Sequence, residues 1–239
     1  MYRLYVVMKL LTKQAPPENV LCAGDKSNCH FLNEIIELRH EVNLLTEQVR
    51  TDALTGLYNF RFFNETIALE MERARRGLQP LAMILLDVDY FKKFNDEWGH
   101  DYGNFALIHV ANLVKLAVRK LDYACRFGGE EFIILLPNTD LSQAVYVAER
   151  LREMIATTPL ILNAHSITYL TASFGVDEFS ANINDTNEDF IRRVDAWLYH
   201  AKHNGRNRIS HPDLMARVKK KAVTLEEKDA LLDVFNDKA

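Results

Sequence analysis

An α/β sandwich is the fold class this 239-residue sequence predicts, and three observations lead there. Leu81-Ala82-Met83-Ile84-Leu85-Leu86 is an unbroken apolar run, the mark of a strand buried on both faces. Apolar residues on both sides of Gly128-Gly129 read as a β-hairpin closed by a tight turn. Helix-like and strand-like stretches alternate around these two features. With 48% apolar and 26% charged residues, the chain can bury a sizeable core in one globular domain plus extensions. A net charge of −4 offers no basic footprint for nucleic acid.

Taken in order, residues 1–30 form a segment without an assignable role. Met1 to Leu11 is apolar but carries Arg3 and Lys9, is too short to span a bilayer and lacks a signal-peptide pattern. Pro16-Pro17 and Gly24 through Asn28 read as turns. The three cysteines, Cys22, Cys29 and Cys125, are an odd number in a chain with no secretion signal, which suggests reduced thiols and a cytoplasmic location. Cys22, Cys29 and His30 could ligate zinc, but their spacing matches no standard module and a fourth ligand is missing. Cys125, beside an apolar strand, reads as a small core residue.

Residues 31–51 read as a stalk. Phe31, Ile35, Leu38, Val42, Leu45 and Val49 are spaced 4, 3, 4, 3 and 4. Ile35, Val42 and Val49 then fill a and Leu38 and Leu45 fill d, the choice that favours a parallel two-stranded coiled coil and hence a homodimer. The alternative is one helix packed on its own main domain. Input would reach such a stalk from residues 1–30 or from a regulatory partner protein.

Residues 52–211 form the main domain. Its expected elements are a strand at 81–88, a helix at 103–120, a hairpin at 123–136, a helix at 141–156, a strand at 166–176 and a helix at 188–203. Asn184 through Glu188 reads as loop and helix cap. His211-Pro212 breaks the chain before residues 212–239, where Leu214, Val218, Leu225, Leu231, Leu232 and Val234 suggest a helical extension.

The chemistry concentrates at two acidic places. Glu130 and Glu131 follow two glycines, so acceptor-only carboxylates stand beside backbone that a ligand can approach. Such a pair calls for a cation; the plainer reading is an acidic tip solvated by water. Asp87-Val88-Asp89 ends the buried strand and leads into Tyr90-Phe91-Lys92-Lys93-Phe94-Asn95-Asp96, read as a short loop. Carboxylates there, followed by lysines, suit Mg²⁺ bound together with a phosphorylated substrate. If the two strands are neighbours, Asp87 and Glu130/Glu131 converge on a two-metal phosphoryl-transfer site.

Five separated motifs, in order, now make the chain resemble a GGDEF-family diguanylate cyclase with the Glu variant of the signature, over roughly residues 52 to 210. They are Asp52-Ala53-Leu54-Thr55-Gly56-Leu57-Tyr58-Asn59; Asp87 through His100; Gly128-Gly129-Glu130-Glu131-Phe132; Thr171-Ala172-Ser173-Phe174-Gly175; and Asp195 through Tyr199 leading to Lys202-His203-Asn204-Gly205-Arg206-Asn207. The resemblance implies a palm-like, mainly antiparallel sheet flanked by helices, and two GTP condensed to cyclic di-GMP with release of two pyrophosphates. It also implies two Mg²⁺ per active site, with Mn²⁺ able to substitute. Asp87 and the carbonyl of Val88 take the positions of metal ligands. Glu130 takes that of the ligand that helps deprotonate the attacking 3′-hydroxyl, and Glu131 that of a further metal-site carboxylate. Phe91 and Lys92 stand where amides and a lysine hold the β- and γ-phosphates, and Lys202 and Arg206 where a phosphate clamp follows the last helix. Asn95 takes the guanine-reading position, with His100 at the pocket edge.

One residue departs from the family pattern. Where an Asp normally accepts from the guanine edge, this chain has Asn104. An amide offers one acceptor and one NH₂, so one end would face a guanine donor, whereas adenine presents one donor and one acceptor. Relaxed base selectivity and mixed or adenine-containing products follow as one reading. The other is that Asn104 still accepts one bond and Asn95 carries the rest. Arg119-Lys120-Leu121-Asp122 stands in register with the family's RxxD product-inhibition site, with Arg150 as a second contact; the plain alternative for Arg119 is a salt-bridged helix end. A non-catalytic sensor of GTP or cyclic di-GMP is the third reading of the whole chain.

Overall fold

The structure is a computed structural model, and it describes residues 36–42, 45, 50–163, 166–179 and 185–213. By backbone proximity the chain divides after Val49. In the first part residues 36–42 and 45 are helical, and Leu38, Val42 and Leu45 of the expected seam have exposed side chains. Phe31, Ile35 and Val49 lie outside the described residues, as do Cys22, Cys29, His30 and the expected helical extension beyond Asp213. Among the described residues no helix is long and apolar enough to cross a membrane.

From Arg50 onward the elements run α1 (Phe60–Gly77), β1 (Leu81–Val88), α2 (Phe91–Trp98), α3 (His100–Ala117), β2 (Tyr123–Arg126), β3 (Glu131–Pro137), α4 (Leu141–Thr157), β4 (Leu160–Asn163), β5 (Ser166–Thr168), β6 (Ala172–Phe179), α5 (Asn187–His203) and β7 (Ile209–Ser210). Five strands form one sheet in the order β2-β3-β1-β6-β7, and β4-β5 is a separate hairpin. Every pairing in the main sheet is antiparallel except β6-β7. The mainly antiparallel, helix-flanked sheet is therefore as expected.

The apolar run 81–86 suits the centre of the sheet, where all eight residues of β1 lose water on both faces. Side chains alternate across it. Ala82, Ile84, Leu86 and Val88 join α3 and α4 in one core. The odd positions face the other layer, where α1 buries Phe63, Ile67, Met71 and Ala74 and α5 buries Phe190, Ile191, Val194, Leu198 and Ala201. On this face β6 carries Gly175, with the α5 backbone at Val194 and Leu198 directly against it.

Four expectations change. Tyr90 through Asp96 is not a loop: Tyr90, at φ 56°, ends the strand and α2 begins at Phe91, whose ring is buried. The helix expected from Gly103 to Lys120 runs from His100 to Ala117. Gly99, at φ 89°, supplies the break between α2 and α3, and Val118 turns extended. Gly103 lies inside the helix for another reason, since a Cβ there would collide with the Asn95 amide oxygen. The strand expected at 166–176 is two strands in different sheets, because the chain crosses between them at residues 169–171. The sequence reading also passed over α1, whose first turn Asn59 caps through Phe62 N–H, and the short strands β4 and β7.

Candidate active site at the end of the central strand

Sheet register builds the site. Asp87 pairs with Glu131 on β3 and with Ser173 on β6, so the two acidic motifs meet on the α1/α5 face. The Val88 N–H donates to the Glu130 carbonyl at 3.2 Å, which closes the strand end on the signature turn. That turn is held from below. Phe127 N–H donates to the Glu131 carbonyl at 2.8 Å, and Arg126 donates to the Gly129 carbonyl at 2.8 Å. Arg126 also meets Asp52 at 3.3 Å, tying the opening motif to the turn. An added Cβ at Gly128 would lie 2.5 Å from a Glu131 carboxylate oxygen, so that side chain would have to shift.

The last turn of α5 brings Lys202, whose ammonium lies 2.7 Å from Asp87 Oδ2. Burial nevertheless pushes the Asp87 carboxyl up to about 6 against the hydrogen bond and attraction of Lys202, with smaller repulsion from Glu130 and Asp89. Burial likewise lifts Glu131 to about 7, reinforced by Asp87, Asp195 and Glu130 and opposed by Lys202. The crowded carboxylates thus hold more negative charge than one lysine compensates. Asp87, Val88, Glu130 and Glu131 offer only oxygen donors, the set that suits Mg²⁺. Among the described residues no three acidic, His or Cys side chains stand ready as a complete cage.

Phe91 and Lys92 open α2. Its Tyr90 N-cap makes no side-chain capping bond, so the first amides of the helix, with their dipole, are available to an anion. Arg206 lies with its guanidinium carbon 4.5 Å from the Tyr90 ring centroid, beside this helix start. Asn95 packs on Gly103, and its side-chain oxygen is buried without a hydrogen-bond partner. His100 and Asn104 are exposed on the first turns of α3.

The residues read as a product site form a separate group. Arg119 N–H donates to Asp122 Oδ2 at 2.7 Å, and Asp122 N–H donates back to the Arg119 carbonyl at 3.1 Å. These residues belong to a tight turn beyond the helix end. Burial raises the Asp122 pKa against the pull of Arg119. Clefts of about 620 Å³ and about 440 Å³ flank the turn, both lined by Arg119 and Asp122 and both away from the carboxylates. Arg150 donates to the Ala117 carbonyl, at the base of the turn.

The sequence alone gives Arg126 and Asp195 no role and counts Asp89 only among the strand-end carboxylates; the structure joins all three to these groups. Asp89, two residues after Asp87 in the same motif, was the visible signal.

Residues 49–208 match the family model described as diguanylate cyclase, GGDEF domain. The chain is 37% identical over 173 residues to the response regulator PleD of Caulobacter vibrioides, covering 72% of this chain and 38% of PleD. It is 39% identical over 177 residues to a diguanylate cyclase of Vibrio cholerae, covering 74% and 53%. It therefore spans only 38% and 53% of these relatives. Among solved structures, the GGDEF domain of DgcB from Caulobacter crescentus in complex with c-di-GMP superposes with TM-score 0.65 at 30% identity, over 68% of this chain and 92% of that one. The diguanylate cyclase SiaD of Pseudomonas aeruginosa, in complex with its activator SiaC, gives TM-score 0.65 at 33% identity, over 87% and 72%.

Proposed function

Because the chain belongs to the GGDEF diguanylate cyclase family, we propose that it condenses two GTP into cyclic di-GMP and two pyrophosphates. The observation that carries this reading is the lateral register of Asp87 with Glu131 at the end of a buried strand, with Lys202 against them. Asp87, the Val88 carbonyl, Glu130 and Glu131 would hold Mg²⁺, which when bound neutralises phosphate charge and acidifies the 3′-hydroxyl. Lys202 and Arg206 receive the β- and γ-phosphates together with the amides at the start of α2, and Lys92 adds a point charge. Glu130 stands where a carboxylate can orient the attacking hydroxyl. Each chain binds one nucleotide, so two sites must face each other; the helical stalk is the element that would pair them and remove much of the bimolecular entropy cost. A partner acting on the stalk would set how the sites meet; the similar SiaD was solved in complex with its activator SiaC.

Product feedback is part of the proposal. The Arg119–Asp122 turn, with Arg150 beneath it, offers a fork for phosphate between two clefts, and the DgcB domain was solved with c-di-GMP.

A second reading concerns the base. The buried Asn95 oxygen awaits a donor, which both guanine and adenine possess, and Asn104 is an amide, which matches the one donor and one acceptor of adenine better than the two donors of guanine. Mass spectrometry of products formed with Mg²⁺ and GTP, ATP or both tests these readings together. Cyclic di-GMP from GTP, unchanged by ATP, is the expected result. Adenine-containing products would instead make Asn104 a specificity switch. No product at any protein concentration would favour a nucleotide-binding regulator, or an enzyme still missing its activating partner.

A further inference from the structure

We propose that Asp89 is a positioning residue that presets the Arg206 end of the phosphate clamp. The inference rests on the reading of Arg206 given above. Asp89 is buried, and its carboxylate accepts three hydrogen bonds: from the Ser173 hydroxyl at 2.6 Å, the Thr171 hydroxyl at 2.8 Å and the Asn207 N–H at 3.0 Å. Its own N–H donates to the Thr171 carbonyl at 2.8 Å. One side chain thus joins the strand that carries Asp87, the start of β6 and the turn after α5. With three of about four acceptor positions engaged by protein, Asp89 is committed to that junction.

The turn it grips is strained. Gly205, Arg206 and Asn207 have φ of 112°, 60° and 44° in succession; glycine and asparagine tolerate this region, whereas Arg206 is a residue that avoids it. Such geometry persists only where the surroundings over-determine it. The restraints are Arg206 N–H on the Ala201 carbonyl at 3.1 Å, Arg152 on the Asn207 amide oxygen at 3.1 Å, and the Asn207 N–H on Asp89. The Asp89 bond is to the backbone immediately after Arg206. Held this way, the guanidinium lies over Tyr90, which directly follows Asp89. Releasing Asp89 lets the turn relax, and Arg206 must then be ordered at the moment of binding.

The test is a double-mutant cycle on the full chain, Asp89→Ala against Arg206→Ala, read as the affinity for a non-hydrolysable GTP analogue with Mg²⁺ and as KM and kcat for GTP. Arg206→Ala is expected to weaken binding roughly 10- to 100-fold and Asp89→Ala roughly 5- to 20-fold, with the double variant within about twofold of Arg206→Ala alone. Affinity of Asp89→Ala equal to the parent's, even with a lowered melting temperature, overturns the proposal. So does a double variant weakened by the product of the two single effects. Should Asp89→Ala not fold, Asp89→Asn, which can keep an acceptor for Asn207 N–H, enters the same cycle with a smaller expected loss and the same criterion. An Arg206→Ala variant of parental affinity would remove the clamp itself and so refute the reading beneath this one.

Discussion

Replacing Gly175 with alanine would drive a methyl group into the backbone of α5. The added carbon would lie 3.0 Å from Leu198 Cα and closer still to the Val194 carbonyl oxygen and the Leu198 amide nitrogen. Carbon atoms pack best at about 3.5–4.0 Å. Both obstacles are main chain in the middle of a helix, so no side chain can rotate away; α5 must retreat from the sheet by about 1 Å. A gap of that size forfeits about a quarter to a half of each dispersion contact beneath Phe190, Ile191, Val194, Leu198 and Ala201. Overpacking of this kind costs about 1–3 kcal/mol, and the rigid obstacles place it near the top, about 3 kcal/mol. Against this, a less flexible unfolded chain returns only about 0.4–1 kcal/mol. A fall in melting temperature of roughly 4–10 °C is expected by circular dichroism. Because Lys202 is carried by the same helix, synthesis per folded molecule should fall as well. A Gly175→Ala protein melting within about 2 °C of the parent would refute the close approach on which this reasoning depends.

Three further outcomes follow from the same geometry. Asp87→Asn and Glu130→Gln should each lower cyclic dinucleotide formation by about 100-fold or more while far-ultraviolet dichroism is unchanged; near-parental turnover in either would remove the carboxylates from the chemistry. Burial pushes the Cys125 thiol up to about 12, so in a Cys22→Ser/Cys29→Ser background it should resist iodoacetamide at pH 8 until denaturant is added. Rapid labelling of the folded protein would contradict its burial. Asp52 resists the upward push of burial because Thr55 and Arg126 hold its carboxylate, and its folded pKa is lowered. Its contribution is therefore full above the unfolded value of about 3.9 and is lost as pH falls through the folded one. Urea melts should show parent and Asp52→Asn separated at pH 6 and converging below about pH 4, and a separation that widened in acid would have the wrong sign.

The chemistry of this protein was legible in its residues because strand ends and glycine turns announce themselves locally. Leu81–Leu86 required a doubly covered strand, and Gly128-Gly129 required a hairpin, whatever surrounded them. Local patterns also sufficed for α4 and α5, whose capping boxes at Asp140 and Thr186 mark their first turns. They failed where a residue's reason was distant. Gly103 looked like a helix start, yet it is small because Asn95 presses on it, and 166–176 looked continuous because period-2 alternation does not say which sheet a strand joins. The order β2-β3-β1-β6-β7 was likewise beyond the sequence, since pairing is a choice among strands of similar apolarity. That choice set Asp87 against Glu131 and Ser173, and with it the burial that raises both carboxyls. Residue identity thus determined which groups are available, while tertiary structure alone decided which of them share a dielectric and therefore what each can do.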